Sequence, residues 1–232
     1  MSFTPDLLSF ILASGADIAG VADLGPLKQG LPVLPADLLD PYRFGVSVGM
    51  RLTGNIINVI TDGPTQEYAD HCKDLNGRLN QLTAGVVEWI IQRGFAARAI
   101  PASQSVDAER LLGNISHKAV AITAGLGWQG KSLLLVTPRF GPRVRLATVL
   151  TDMPLEAGAP VRNRCGTCKA CTNACPAAAI RNVSTTHHYE SREAAVELLK
   201  CHAKLLQFKE RPEIGYTFCG VCIAACPFGK RA

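Results

Sequence analysis

The chain has 232 residues, 47% of them hydrophobic and 19% charged, with nine cysteines and a formal net charge of +5. That length allows one core of about 150 residues plus a small appended module, and the composition excludes a disordered or fibrous chain. No apolar run approaches the roughly 18 residues of a membrane helix, so no membrane partner is expected; residues 85–91 are the nearest and carry Glu88. The opening Met-Ser-Phe-Thr-Pro has neither a basic n-region nor a cleavable apolar stretch. The expected location is therefore the cytoplasm, where a disulfide framework is not expected. Acidic side chains outnumber basic ones over residues 1–110, and the balance reverses over 111–232. A basic half raises nucleic acid as a partner, but these charges form no basic run.

Thr4 as N-cap with Pro5 at N1 predicts a helix through about Ala13, ended by Gly15. Residues 16–22 read as a first buried strand. Residues 25–41, with four prolines, read as a loop holding at most one helical turn. Residues 43–52 are rich in β-branched side chains and predict a strand. The longest helical pattern runs over 64–93, where Leu75, Leu79, Leu82, Val86 and Ile90 step by three and four. Gly94 ends it and residues 96–100 return as a strand. Ser116 as N-cap and Gly125 as C′ residue bound a short helix reaching Thr123. Residues 133–137 and 144–150 read as a strand pair across the turn 138–142. A polar linker follows over 156–164, and residues 191–208 read as a helix carrying Cys201.

The loop Gly125-Leu-Gly-Trp-Gln-Gly-Lys-Ser132 matches G-x-G-x-x-G and, letter for letter, the phosphate-loop pattern G-x4-G-K-S. Either needs a helix after the loop whose N–H groups face the anion. The residues that follow, Leu133-Leu-Leu-Val-Thr-Pro138, are strand-like and closed by proline. A tight helix–loop–strand connection, with glycines present for steric reasons, competes with both.

Eight of the nine cysteines lie in the last third. They form Cys165-x2-Cys168-x2-Cys171-x3-Cys175-Pro176 and Cys219-x2-Cys222-x3-Cys226-Pro227, with Cys201 alone between. The first run has the bacterial ferredoxin spacing, in which three cysteines bind one [4Fe–4S] cluster and the fourth reaches the other. Structural zinc prefers separated C-x2-4-C pairs, whereas three cysteines this close crowd a single tetrahedral ion. Crossover then predicts Cys165, Cys168, Cys171 and Cys226 around one cluster and Cys175, Cys219 and Cys222 around the other. Cys201 fills that second set. The expected architecture is α+β or α/β: an N-terminal α/β domain over 1–155, then a ferredoxin-like module for two [4Fe–4S] clusters over 160–232.

The stretch Thr123-Ala-Gly-Leu-Gly-Trp-Gln-Gly-Lys131, the Cys-Gly-x-Cys-x2-Cys-x3-Cys-Pro run about thirty residues later, Val149-Leu-Thr-Asp-Met-Pro154 and the closing cysteine run together resemble the epoxyqueuosine reductase family. The likeness is clearest over 115–232 and weaker over 43–110. It implies an N-terminal domain that binds cobalamin, a module that feeds it electrons from two clusters, and reduction of an epoxide on a tRNA base. It also implies that Gly125, Leu126, Gly127, Trp128, Gly130, Lys131 and Ser132 lie against the corrin ring, with Trp128 or Lys131 at its edge. The family's catalytic aspartate sits in an Asp-x-x-Pro-x-x-Glu-Arg stretch before the glycine loop. Here that position falls on Leu111, and His117-Lys118 replace the Glu-Arg pair; Asp107-Ala-Glu-Arg110 is displaced and lacks the proline. The sequence ends six residues after Cys226, so the helical-repeat domain that grips tRNA is not expected, and tRNA stays an open partner.

The leading expectation is a corrinoid-dependent reductase supplied by an external electron donor and acting on a substrate or acceptor protein the sequence does not name. A non-catalytic electron carrier, or a reductive activator of a partner's corrinoid, is the alternative. A P-loop ATPase with clusters is the third. Asp107 and His117 are the candidates for a proton donor. Cys72 reads as a buried small hydrophobe, His187 and His188 as loop residues, and His202 as a neighbour able to tune the cluster held by Cys201.

Overall fold

The computed structural model describes residues 2–28 and 30–230. Gln29, within the predicted loop 25–41, and the terminal Met1, Arg231 and Ala232 lie outside them. Two compact units interleave along the chain: residues 1–50, 75–126 and 145–160 form the first, and 51–74, 127–144 and 161–232 the second. Domains consecutive in sequence were expected, divided at 155–160. The cysteine-bearing segment instead shares its unit with two earlier pieces of chain. The intended linker is also not free. Glu156 N–H donates to Thr4 Oγ1 (2.7 Å) and Gly158 N–H to the Val21 carbonyl (2.8 Å), which holds it on the first unit.

The first unit is built on a sheet of order β1-β2-β6-β3, with β1 (Ile18–Asp23), β2 (Phe44–Arg51), β3 (Ala97–Ile100) and β6 (Val144–Thr151). β1 runs antiparallel to β2, Ile18 opposite Gly49, and β3 antiparallel to β6, Ala97 opposite Thr151. Every residue of β2 but Arg51 is buried, so this strand is covered on both faces. Gly45 makes that possible: a Cβ there would meet Leu24 Cδ2 at 2.9 Å and Val120 Cγ1 at 3.0 Å. Val120 belongs to α5 (His117–Thr123), which packs on β1, as does α1 (Thr4–Ala13); α2 (Gly25–Lys28) is the one helical turn expected in the loop 25–41.

α5 starts as predicted, with Ser116 Oγ accepting the Ala119 N–H, and ends at Gly125, whose φ is 78°. α1 is capped at Phe3 rather than Thr4, because the Thr4 hydroxyl is taken by Glu156. The long helix α4 (Gln66–Ile91) gives its residues from Leu75 onward to this unit. Leu79, Val86 and Ile90 on its buried face join Leu7, Ile11, Val46 and Leu150 as fully enclosed side chains. Each such burial contributes roughly 1.5–3 kcal/mol.

The second unit has little regular structure. It holds α3 (Gly54–Asn58), a two-stranded hairpin of β4 (Trp128–Gln129) with β5 (Leu135–Val136), and the helices α6 (Ala170–Ala174), α7 (Arg192–Ala195), α8 (Leu198–Lys209) and α9 (Val221–Ala225). Two expectations are corrected here. Residues 133–137 do not form a ladder with 144–150. Their turn closes on a single bridge, Thr137 to Gly141, after which β5 pairs with β4 and β6 joins the main sheet. Gly127 decides this: a Cβ there would lie 2.3 Å from the Val136 carbonyl oxygen, so only glycine lets β4 close on β5.

The helix predicted over 191–208 is broken at Val196. Arg181 N–H bonds to the Ala195 carbonyl and Glu197 N–H to that of Ala179 (2.9 and 2.8 Å). That bridge between Ile180 and Val196 pulls Val196 into extended backbone, and α8 then starts afresh with Cys201 in its first turn. Among the described residues no helix is long and apolar enough to cross a membrane.

Candidate iron–sulfur centre

The first cysteine run lies in a tight loop continuing into α6; the last lies around α9, which packs against α6. Gly220 enters α9 with φ of 80°, and a Cβ there would lie 2.7 Å from Ile60 Cδ1 and 2.8 Å from Tyr68 Cε1.

The thiols fall into two neighbourhoods, read from which charges act on which. Cys226 is pushed up to about 11, first by burial and then by Cys171, Cys165 and Cys168. Cys171 is raised by burial, then by Cys165 and Cys168. Cys219 is pushed up to about 11, chiefly by burial, with Cys201 and Cys175 adding to it. Cys222 is raised further, by burial and then by Cys219 and Cys201, with Cys171 and Cys175 also acting on it. Cys226 and Cys171 thus share the field of Cys165 and Cys168, Cys219 lies in that of Cys175 and Cys201, and Cys222 is acted on from both sides. The two neighbourhoods adjoin through Cys171.

All nine cysteines are free thiols. Among the described residues no three His, Cys, Asp or Glu side chains converge to hold a single metal ion. The four thiols that burial raises, Cys171, Cys219, Cys222 and Cys226, need positive charge to ionise, which bound iron would supply. Cys72 is fully buried on α4 and belongs to neither neighbourhood.

The glycine loop divides after Leu126, and its second part clamps the first cysteine run. Trp128, 1% exposed, donates its Nε1–H to Cys165 Sγ (3.4 Å) and packs edge-on against Phe228 (4.9 Å). Gln129 accepts from Asn163 Nδ2 at its carbonyl (2.9 Å), and Asn163 Oδ1 accepts the Cys165 N–H (2.8 Å). Lys131, 5% exposed, donates from Nζ to the Cys168 carbonyl (2.9 Å) and to Asn182 Oδ1 (3.0 Å). No helix follows Lys131, as the chain turns directly into β5, and the phosphate-loop geometry is therefore missing. Gly125 is filled from within the first unit, since a Cβ there would stand 2.5 Å from the Ala159 carbonyl oxygen. Gly125 and Leu126 keep partial exposure, as does Ser132.

Both proton-donor candidates belong to the first unit and are engaged within it. Asp107 spends its carboxylate locally, Oδ1 accepting the Arg110 N–H at 2.8 Å. Both ring nitrogens of His117 are engaged, Nδ1 with Thr148 Oγ1 (2.8 Å) and Nε2 with the Pro101 carbonyl (3.1 Å). Burial holds its pKa down at about 4, with the Arg145 and Lys118 charges helping and the Pro101 bond opposing. The neutral ring then donates from Nε2 and accepts at Nδ1.

Sequence reasoning missed Arg143. It is 3% exposed, bonds through Nη1 to Asn58 Oδ1 (2.9 Å), and places its guanidinium in the field of the Cys226 thiol. The basic excess of the second half was the available signal, because Lys131 and Arg143 are buried parts of that excess. Asn163 and Asn182 had no signal at all.

Residues 164–229 match the family described as a 4Fe-4S double cluster binding domain. An epoxyqueuosine reductase of Gloeobacter violaceus is 37% identical over 130 residues, covering 52% of this chain and 38% of that protein. A tetrachloroethene reductive dehalogenase of Sulfurospirillum multivorans is 39% identical over 119 residues, covering 48% and 23%. A solved reductive dehalogenase, whose structure suggests a mechanism for B12-dependent dehalogenation, superposes on 96% of this chain and 31% of that one. Its TM-score is 0.72 at 17% identity, a likeness of fold. The chain spans well under half the length of these proteins.

Proposed function

We propose that this chain, a relative of the epoxyqueuosine reductases and reductive dehalogenases with a double [4Fe–4S] cluster domain, is an iron–sulfur reductase of the corrinoid-dependent kind. Cys165, Cys168, Cys171 and Cys226 would hold the first cluster, and Cys175, Cys201, Cys219 and Cys222 the second. The observation that supports this best is the packing of α6 on α9, which brings the two cysteine runs together, within a segment, 164–229, that matches a double cluster binding domain.

Each cluster, when bound, stores one electron at a potential set by sulfur hydrogen bonds and solvent exposure. The chain supplies the rest. Lys131 and Arg143 bring buried positive charge beside the first set of thiolates. Trp128 and Phe228 pack edge-on at the Cys165 corner of that set, while Cys168 stays exposed. A corrinoid would supply low-valent cobalt for reduction of the substrate. In the first unit the loop residues left to meet it are Gly125 and Leu126, because Gly127, Trp128, Gly130 and Lys131 are buried against the chain itself. An external electron donor completes the scheme, and the substrate class follows neither relative by name.

A second reading is an electron carrier or reductive activator for another protein's corrinoid. The internal engagement of Asp107, His117, Trp128 and Lys131 favours it. Anaerobic purification, iron analysis and electron paramagnetic resonance with added cob(II)alamin separate the two. About eight irons per chain are expected, together with a perturbed cobalt signal. Four irons or fewer after full reconstitution, or zinc instead, would overturn the cluster assignment. Eight irons with an unchanged cobalt signal would leave the carrier reading.

A further inference from the structure

We infer that Trp128 is a tuning residue for the first cluster, its indole N–H raising that cluster's reduction potential through Cys165. This rests on the cluster assignment proposed above. A buried indole N–H requires an acceptor, and the one Trp128 finds is Cys165 Sγ, 3.4 Å away. At 1% exposure no water competes for it. The ring is fixed from two sides: β4 pairs Trp128 with Val136, and the edge-on contact to Phe228 sets its tilt. The Arg164 guanidinium, 5.8 Å from the ring centroid, adds a cation to the same corner.

One-electron reduction of a [4Fe–4S] cluster with four thiolates changes its net charge from about −2 to about −3, and a donor to sulfur favours the more negative form. The electron comes from the external reductant and no proton moves. Backbone donors also occur at these thiols: Ala179 N–H at Cys175 Sγ (3.4 Å), Val221 at Cys219 and Phe228 at Cys226. Those donors lie within the cysteine-bearing segments and serve both sets. The indole comes from the glycine loop and serves the first set alone. Gly127 and Gly130, which let β4 close on β5, are what aim it.

The test is an anaerobic redox titration, with dithionite and mediators, of the reconstituted full chain against Trp128→Phe. A second variant carries benzothienylalanine at position 128, which keeps the ring shape and loses only the N–H. In both, iron content should hold while one couple moves to more negative potential and the other stays. The expected size is about a tenfold fall in the reduced-to-oxidised ratio at fixed potential, or 59 mV for a one-electron couple. An exchangeable-proton coupling to the first cluster, resolved by pulsed resonance in H2O against D2O, should disappear with it. Full iron with both couples unmoved would overturn the inference. So would loss of iron from the benzothienylalanine variant, since the role would then be structural. A wild-type chain without two clusters fails a different claim, the assignment itself.

Discussion

At the scale of single residues, the side chains that looked most catalytic in the sequence are the ones most occupied by the fold. His117 is neutral near pH 7 because its folded pKa of about 4 lies below the ordinary 6.5. Between those values the unfolded chain binds the proton and the folded chain does not. Stability from this group is therefore complete above pH 6.5 and is lost as pH falls through the window toward 4. Its full extent is on the order of 3 kcal/mol. Urea midpoints at pH 7.5 and pH 5 should fall further apart for the wild-type chain than for His117→Gln; equal slopes would show that the ring titrates normally. Lys131 is occupied differently, its ammonium satisfying the Cys168 carbonyl and Asn182 Oδ1. Lys131→Met keeps the apolar stem and strands those two acceptors at a cost of about 1–3 kcal/mol. The first cluster should then lose iron to a chelator several times faster, while ATP binding, absent in both proteins, stays absent. Retained ATP–Mg binding in the wild-type chain, lost in the variant, would revive the phosphate-loop reading.

At the scale of elements, what sequence periodicity revealed and what it hid can be told apart by where the hydrogen bonds close. α4 and α5 follow from local rules, three-and-four spacing for the first and the Ser116 cap with Gly125 for the second. β4 did not follow, because a two-residue strand has no period to read, and its partner is chosen by the missing Cβ of Gly127. The break at Val196 was hidden for a related reason: a continuous helical pattern is overruled by a bridge to Ile180, a contact that sequence spacing does not encode. The double cluster domain was legible because the spacing of the two cysteine runs is itself a geometric rule. The clamp over Cys165 and Cys168 was not, since it depends on asparagines at 163 and 182 that match no motif. Gly127→Ala tests this account of the hairpin. Its Cβ would sit 2.3 Å from the Val136 carbonyl oxygen, backbone that has no rotamer with which to yield. A loss of at least 1–3 kcal/mol is expected. It should appear as faster amide exchange across residues 128–136 and as loss of the Trp128 contact, and unchanged exchange there would refute the steric argument.

At the scale of the molecule, the two units differ in what holds them together. The first owns a four-stranded sheet, most of α4 and a core that includes Leu24, Leu39, Val120 and Leu150, with none of the eight cluster cysteines in it. The second has short helices, a two-residue hairpin and a small core of Leu133, Ala179, Ile180, Ala195 and Val196. The partly buried side chains packed on that core include Cys171, Cys175, Cys201 and Cys222 themselves. Its apolar burial is thus arranged around the thiols, and cluster binding supplies folding energy there as metal binding does in small metal-dependent domains. The crossed ligand sets proposed above would strengthen the coupling. On the proposed sets Cys226 would close the first from the far end of the unit and Cys175 would leave the first run to join the second, so that neither run would order alone. Stripping the iron anaerobically should therefore melt the second unit and spare the first. Hydrogen exchange should show protection kept over 18–23, 44–50 and 97–100 and lost over 165–175 and 198–226. Cys201→Ser should act by halves: iron falls from about eight toward four per chain, the surviving signal belongs to the first set, and protection fades first over 192–209. Protection over 165–226 that survives complete iron removal would mean that the second unit folds on its own apolar core, and the clusters would then be passengers in it.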